Sequence, residues 1–194
     1  ASLPVTEPVG TMIVDIGGGT TEVAVLSLGG TVVSESLRIA GDEINESISS
    51  YLKKNHSMAV GERTSEKIKI KIGSAFPDNN FDNTSFEVRG LHLSSGLPRS
   101  ITLTSGEIRE AMADPLNKIV EAIKRTLERT PPELAADIVE RGIMLAGGGA
   151  LIRGMNDLVT KETGIFTHIA EEPLLCVVNG CGKILEDFRK LRRL

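Results

Sequence analysis

Three stretches rich in β-branched and apolar residues, 11–16, 21–27 and 30–39, follow one another with only glycine turns between them, Gly17–Gly19 and then Gly29-Gly30. In the third, Val33, Leu37 and Ile39 alternate with Ser34, Ser36 and Arg38. Such patterning bounded by glycine predicts three consecutive strands. The period then changes. Ile44, Ile48, Tyr51 and Leu52 recur at i, i+4, i+7 and i+8 and predict a helix over about 42–56. Residues 62–74, "ERTSEKIKIKIGS", fit two periods at once: "KIKIKI" alternates like a strand, whereas Glu62, Glu66 and the lysines suit a helix of ion pairs. The ion-pair spacing favours the helix.

Segment 75–104 is polar and turn-rich ("FPDNNFDNT") and predicts two short strands, 84–90 and 99–104, in a small inserted unit. Thr104 with Glu107 forms a capping-box start. The helical stripe Ile108, Ala111, Met112 runs on past Asp114-Pro115 through Ile119, Ile123 and Leu127, and Pro131-Pro132 ends it and opens a short helix to about 140. A strand at 142–146, a second glycine triplet, a helix near 151–163, a short strand at 165–169 and a last helix from about 172 complete the chain. The order βββα, insert, αβαβα predicts a mixed sheet with helices packed on it. The boundaries expected are a core of 1–56 with 105–194 and an inserted small subdomain of 57–104.

Composition narrows the function classes. With 194 residues, 40% hydrophobic and 25% charged, the chain can form one substantial domain or two small lobes sharing a core. A formal charge of −4 supplies no basic footprint for nucleic acid. No apolar run reaches the roughly 18 residues of a membrane-spanning helix. The start, "ASLPVTEPVG", has neither the basic nor the apolar region of a signal peptide, lacks an initiator Met, and leads us to expect a piece of a longer protein. Cys176 and Cys181, five apart in one predicted helix, point in different directions and are not expected to pair, which fits a reduced cytoplasmic protein. His56, His92 and His168 are scattered and match no metal-ligand spacing.

The chemistry concentrates in two glycine loops. Gly17-Gly18-Gly19-Thr20 lies at a hairpin, and Gly147-Gly148-Gly149-Ala150 lies between a strand and a helix. Loops without Cβ atoms let backbone amides approach phosphate oxygens, and a helix after the second loop would add its positive N-terminal end. Asp15, two residues before the first triplet, is placed to hold Mg²⁺ through water, and Thr20 and Thr21 offer hydroxyls to a terminal phosphate. A P-loop is excluded, because the one Gly-Lys pair, Gly182-Lys183, is followed by Ile184. A Rossmann fingerprint is excluded too, because the first triplet runs into a strand and "GGGALIRG" puts its next glycine too far along. A single triplet would more often be a tight turn; two, with Asp15 before the first, point to phosphate binding.

Several segments, "MIVDIGGGTTEVAVLSLGG", "RIAGDEINESI", "GERTSEKIKIKIGSAFP", "GLPRSITLTSGEIREA" and "RTLERTPPELAADIVERGIMLAGGGALIRGM" among them, closely resemble the MreB family of bacterial actin homologues, over nearly the whole chain. The resemblance implies an actin-like (ribonuclease H-like) α/β fold: a mixed five-stranded sheet with helices on both faces plus a small inserted α+β subdomain. It implies that this chain is the second of two lobes that close on ATP or ADP with Mg²⁺. By motif, Gly17, Gly18, Gly19 and Thr20 would contact the β- and γ-phosphates, with Asp15 at the metal. Ser65, Glu66, Lys67 and Ile68, with Lys69, would flank adenine and ribose, and Gly147, Gly148, Gly149 and Ala150 would complete the pocket. Ala146 departs from the threonine commoner in the family. The first phosphate loop and the water-positioning glutamate belong to the family's other lobe, so weak or no ATP hydrolysis is expected of this chain alone.

The resemblance further implies self-association into filaments at the cytoplasmic face of the cell membrane, organising cell-wall synthesis and rod shape. Membrane proteins of cell shape such as RodZ would be partners, with helix 132–141 and helix 151–163 as the candidate surface. The terminal "EDFRKLRRL", with Phe188, Leu191 and Leu194, could touch a membrane, although basic residues at a helix end also simply complement its dipole. Two other readings compete: a sugar or acid kinase lobe of the same fold, and a partner-binding module that uses no nucleotide. The first suffers from the absence of Trp and a single Tyr to stack a sugar ring.

Overall fold

The computed structural model describes residues 1, 3–78 and 80–191, with side chains through Glu186. Strands β1 (Thr11–Ile16), β2 (Thr21–Ser27) and β3 (Gly30–Leu37) form an antiparallel meander. Strand β7 (Ile143–Ala146) lies parallel to β1 on its other side, and β8 (Thr167–Ile169) lies parallel to β7. The resulting mixed sheet has the order β3-β2-β1-β7-β8. A second, three-stranded antiparallel sheet is built from β4 (Met58–Ala59), β5 (Ser85–His92) and β6 (Pro98–Thr104).

The helices are α1 (Gly41–His56), α2 (Glu62–Ile72), α3 (Ser105–Glu128), α4 (Pro132–Arg141), α5 (Met155–Thr163) and α6 (Cys176–Leu191). The segment with two competing periods is thus helical. Ser65, Ile68 and Ile72 bury one face of α2, while Ile70 is 71% exposed, so only one of the two periods finds a core to fill. Helix α3 packs on β2, β3 and α1, and α4 lies on β1. The core runs through Met12, Val14 and Ile16 of β1, Ile44 and Ile48 of α1, and Ile108, Met112 and Ile119 of α3. The capping box opens α3 as its sequence demands: the Glu107 amide donates to Thr104 Oγ1 at 3.3 Å and the Thr104 amide to Glu107 Oε2 at 2.8 Å.

Pro115 stays inside α3, where it removes one helical amide and leaves the carbonyl four residues earlier without its donor. That carbonyl belongs to Ala111, and the Ser47 hydroxyl of α1 donates to it at 2.5 Å. One interhelical bond therefore repairs the helix and fixes α1 against α3.

The structure corrects two expectations near the glycine loops. The segment after the second triplet is not the start of an α-helix. Residues Gly148–Leu151 form a short 3-10 turn, Gly154 interrupts at φ +72°, and α5 begins only at Met155. No α-helical positive end therefore follows the loop directly. Thr21 is completely buried and donates its hydroxyl to the Ile39 carbonyl at 2.7 Å, so it is committed to the sheet rather than free for a phosphate. Strand β3 also ends at Leu37, which leaves Ile39 in the connection that receives this bond. Cys176 and Cys181 are free thiols on α6. Of the terminal motif, the side chains of Phe188 and Leu191 and all of Leu194 lie outside the described residues.

Ser47→Ala should lower stability by about 1 kcal/mol, the cost of stranding a half-buried carbonyl. Urea unfolding of the variant checks this; an unchanged midpoint would show that the Pro115 gap needs no partner.

Candidate functional site: a cleft between two glycine loops

Strands β1 and β7 run side by side in the same direction, with Asp15 opposite Ala146. The register brings the two glycine loops, which follow the ends of those strands, to one edge of the sheet. The contact between them is tight. Gly147 has φ +79°, and a Cβ there would collide with Asp15 Oδ1 and the Ile16 carbonyl. A Cβ on Gly149 would collide with the Ile16 side chain. These two glycines are required by packing: the second loop can sit against the end of β1 only as bare backbone.

The first triplet differs. The Gly17 amide donates to the Thr20 carbonyl at 2.9 Å and closes the hairpin. A Cβ on Gly18 or Gly19 would meet only the Asp42 carboxylate, at 3.8 and 3.9 Å, which is ordinary contact. Neither residue has positive φ. Among the described residues, the amides of Gly18 and Gly19 have no hydrogen-bond acceptor. Among the described residues nothing asks for glycine at these two positions.

The loop carbonyls serve another purpose. Gly17 and Gly18 accept from the amides of Gly41 and Asp42, at 3.1 and 2.8 Å, and so cap α1, whose own preceding residue, Ala40, has no side chain to do it. Lys69 of α2 reaches over and donates to the Gly41 carbonyl at 2.9 Å. Loop, α1 and α2 are thereby locked into one wall.

Between that wall and the second loop lies a cleft of about 660 Å³, within the range of small-molecule sites. Gly17, Gly18 and Asp15 line it on one side and Gly147, Gly148 and Gly149 on the other. Glu66 lines it from α2, together with Lys69 and Ile70. Of the remaining residues singled out by motif, Gly19, Thr20 and Lys67 are exposed beside it, and Ser65, Ile68 and Ala150 are completely buried behind it. Asp42 and Asn45 of α1, Leu174 and Val177 near the start of α6, and Phe81 with Arg153 also line the cleft and had no motif to announce them. The Arg153 guanidinium stacks 3.8 Å above the Phe81 ring. One signal was available for Asn45: it falls inside the Ile44 and Ile48 stripe, where a polar residue is out of place.

Charges in the cleft are mixed, with Asp15, Asp42 and Glu66 against Lys69, Lys71 and Arg153. Burial, and then the neighbouring Glu22, push the Asp15 carboxyl above the ordinary carboxylate range. Burial likewise pulls the Lys69 ammonium down, with Glu66 and Asp42 opposing it. Among the described residues no three carboxylate, histidine or cysteine side chains converge on a point that could hold a metal ion by themselves.

The comparisons with known proteins agree with one another. The family model described as MreB/Mbl protein matches residues 1–193. This chain belongs to the MreB/Mbl family. The cell shape-determining protein MreB of Escherichia coli (strain K12) is 53% identical over 186 residues, which cover 96% of this chain and 53% of the relative. The cell shape-determining protein Mbl of Bacillus subtilis (strain 168) is 45% identical over 98% of this chain and 57% of its own length. The chain thus spans just over half the length of these MreB/Mbl relatives. Among solved structures, MreB5 of Spiroplasma citri bound to ADP superposes with a TM-score of 0.95 at 36% identity, over 99% of this chain and 58% of that one. The fold is therefore actin-like.

The two kinds of glycine separate in a stability measurement. Gly147→Ala should cost more than about 2 kcal/mol, through strained backbone and collision with β1, whereas Gly18→Ala should stay within about 0.5 kcal/mol of the parent. Thermal unfolding of both checks this; equal losses would mean that the first triplet is also a packing device.

Proposed function

We propose that this cleft holds the phosphates and ribose of ATP or ADP with Mg²⁺, and that the chain is the nucleotide-gripping part of a filament-forming, cell-shape-determining actin homologue. The observation that carries this reading is the pair Gly18 and Gly19. Among the described residues their amides face no acceptor, and no steric need explains their lack of side chains. A polyanion bound by bare amides supplies the missing reason. The Spiroplasma citri relative of the same fold is bound to ADP, which supports the same ligand class here.

In this reading Gly17, Gly18, Gly19 and Thr20 hold the terminal phosphates from one side and Gly147, Gly148, Gly149 and Ala150 frame the α-phosphate side. Ser65, Glu66, Lys67 and Ile68 form the helix segment beside the nucleoside, with Glu66 the member that lines the cleft. Asp15 faces the metal. Among the described residues no three carboxylate, histidine or cysteine side chains converge to hold an ion, and Asp15 would hold water bound to Mg²⁺ beside the phosphates. The raised Asp15 carboxyl fits this role, because a nearby cation offsets its burial. Bound Mg²⁺ would supply charge neutralisation at the phosphates.

Residues 57–104, which contain the three-stranded sheet, are proposed as the small subdomain inserted into the core of 1–56 and 105–194. Copies of the protein would associate into filaments beneath the inner membrane, with cell-shape membrane proteins such as RodZ as further partners through α4 and α5. The exposed apolar residues Val178, Ile184 and Leu185 of α6 would pack on the part of the longer relatives that this chain does not span.

Two measurements test the site. Isothermal titration with Mg-ADP should show binding to the parent chain and at least tenfold weaker binding to Gly18→Val, whose side chain would project at the loop; equal affinities would remove the support from the reading. The Asp15→Asn variant tests the metal. Because the folded chain raises the Asp15 pKa, the folded state holds that proton more tightly than the unfolded state. Its contribution to stability therefore falls as pH rises from the usual carboxylate range through the raised value. The variant should melt higher than the parent at pH 7, lose that advantage in acid, and show a smaller enhancement of ADP binding by Mg²⁺. An undiminished Mg²⁺ enhancement would place the metal elsewhere.

A further inference from the structure

Asn45 is a side chain of the cleft wall whose polar group packing within the chain does not explain. It sits one turn into α1 after Gly41 and Asp42, lines the cleft, and is only 5% exposed. Its Oδ1 is buried with no hydrogen-bond partner among the described residues. Ile44 and Ile48 flank it on the same buried face, where a leucine would fill the space without an unmet polar group. Buried side-chain amides are nearly always partnered, and an exception calls for a ligand or an ordered water. The neighbouring polar groups on this wall do not supply the partner. Lys69 is committed to the Gly41 carbonyl, and Asp42 lies over the glycine loop.

We propose that Asn45 hydrogen-bonds a ribose hydroxyl of the bound nucleotide and sets the preference of the cleft for a ribonucleotide. This deepens the nucleotide reading and rests on it. The phosphates belong with the two glycine loops, so the part of the ligand that lies along α1 and α2, beside Glu66, is the sugar. A hydroxyl is the fitting partner for an unengaged amide. It both donates and accepts, so it satisfies the amide in either orientation, whereas a phosphate oxygen only accepts. A site that spends a buried polar group on one hydroxyl rejects analogues lacking it, because the group is then left unpaired.

The test uses titration calorimetry of the chain with Mg-ADP, Mg-2′-deoxy-ADP and Mg-3′-deoxy-ADP, for the parent, Asn45→Leu and Asn45→Asp. The parent should bind one of the two deoxy analogues about tenfold or more weaker than ADP. The Asn45→Leu variant should bind ADP about tenfold weaker and lose that discrimination, yet melt at or above the parent temperature without ligand, since it no longer buries an unpaired amide. Asn45→Asp, which keeps the acceptor, should retain the discrimination. Undiminished discrimination in Asn45→Leu overturns the proposal, and a lowered melting temperature with unchanged binding assigns Asn45 to packing alone. Failure of the parent to bind any of the three nucleotides overturns the nucleotide reading itself and this proposal with it, and is distinguishable from the other outcomes.

Discussion

The site depends on how the backbone of Gly147 and Gly149 seats against Ile16 at the end of β1. Strands β1 and β7 are neighbours in the sheet but about 130 positions apart in sequence, and the loops that leave them could diverge. They do not, because the second loop has no side chain to hold it off: a Cβ at either glycine would strike Ile16. With that contact made, Asp15, the first triplet and the second triplet share one edge, and a cleft forms between them. The 3-10 turn that follows, rather than an α-helix, lets the chain stay against β1 before α5 begins.

The second constraint is the wall opposite. The first loop caps α1 through two carbonyls, and Lys69 ties α2 to the same turn. Farther along α1, the Ser47 bond to Ala111 joins it to α3 across the gap left by Pro115. The amides of Gly18 and Gly19 are thus carried on a loop tied to α1, which would leave little to order on binding the proposed ligand. Family membership was found by comparison, and the unpaired amides of Gly18 and Gly19 independently support the proposal of an anionic ligand.

Much of this was legible in the residues. The glycine-bounded apolar stretches at 11–16, 21–27 and 30–39, the capping box at Thr104 and the proline pair at 131–132 each encode local structure directly, so the elements they mark lie close to where patterning puts them. The glycine triplets were conspicuous because clustered glycine is costly without a purpose. What patterning missed is tertiary. Thr21 reads as a free hydroxyl until the Ile39 carbonyl is found beside it. "KIKIKI" supports two periods, and only the packing of Ile68 and Ile72 decides between them. Asp42, Phe81 and Arg153 come from separate segments whose convergence no local pattern records. Ser65 and Ile68 were singled out through a motif, yet helical geometry turns them inward while Glu66 and Lys69 face the cleft.

The claim beneath the whole account is that two distant backbone loops grip a single polyanion together. Proton–nitrogen correlation spectra of the labelled chain, titrated with Mg-ADP, test it most directly, because glycine amides resolve in their own region. The account predicts that the amides of Gly18, Gly19, Gly148 and Gly149 shift along one binding curve with one dissociation constant. Shifts confined to one triplet, or different constants for the two, would contradict it.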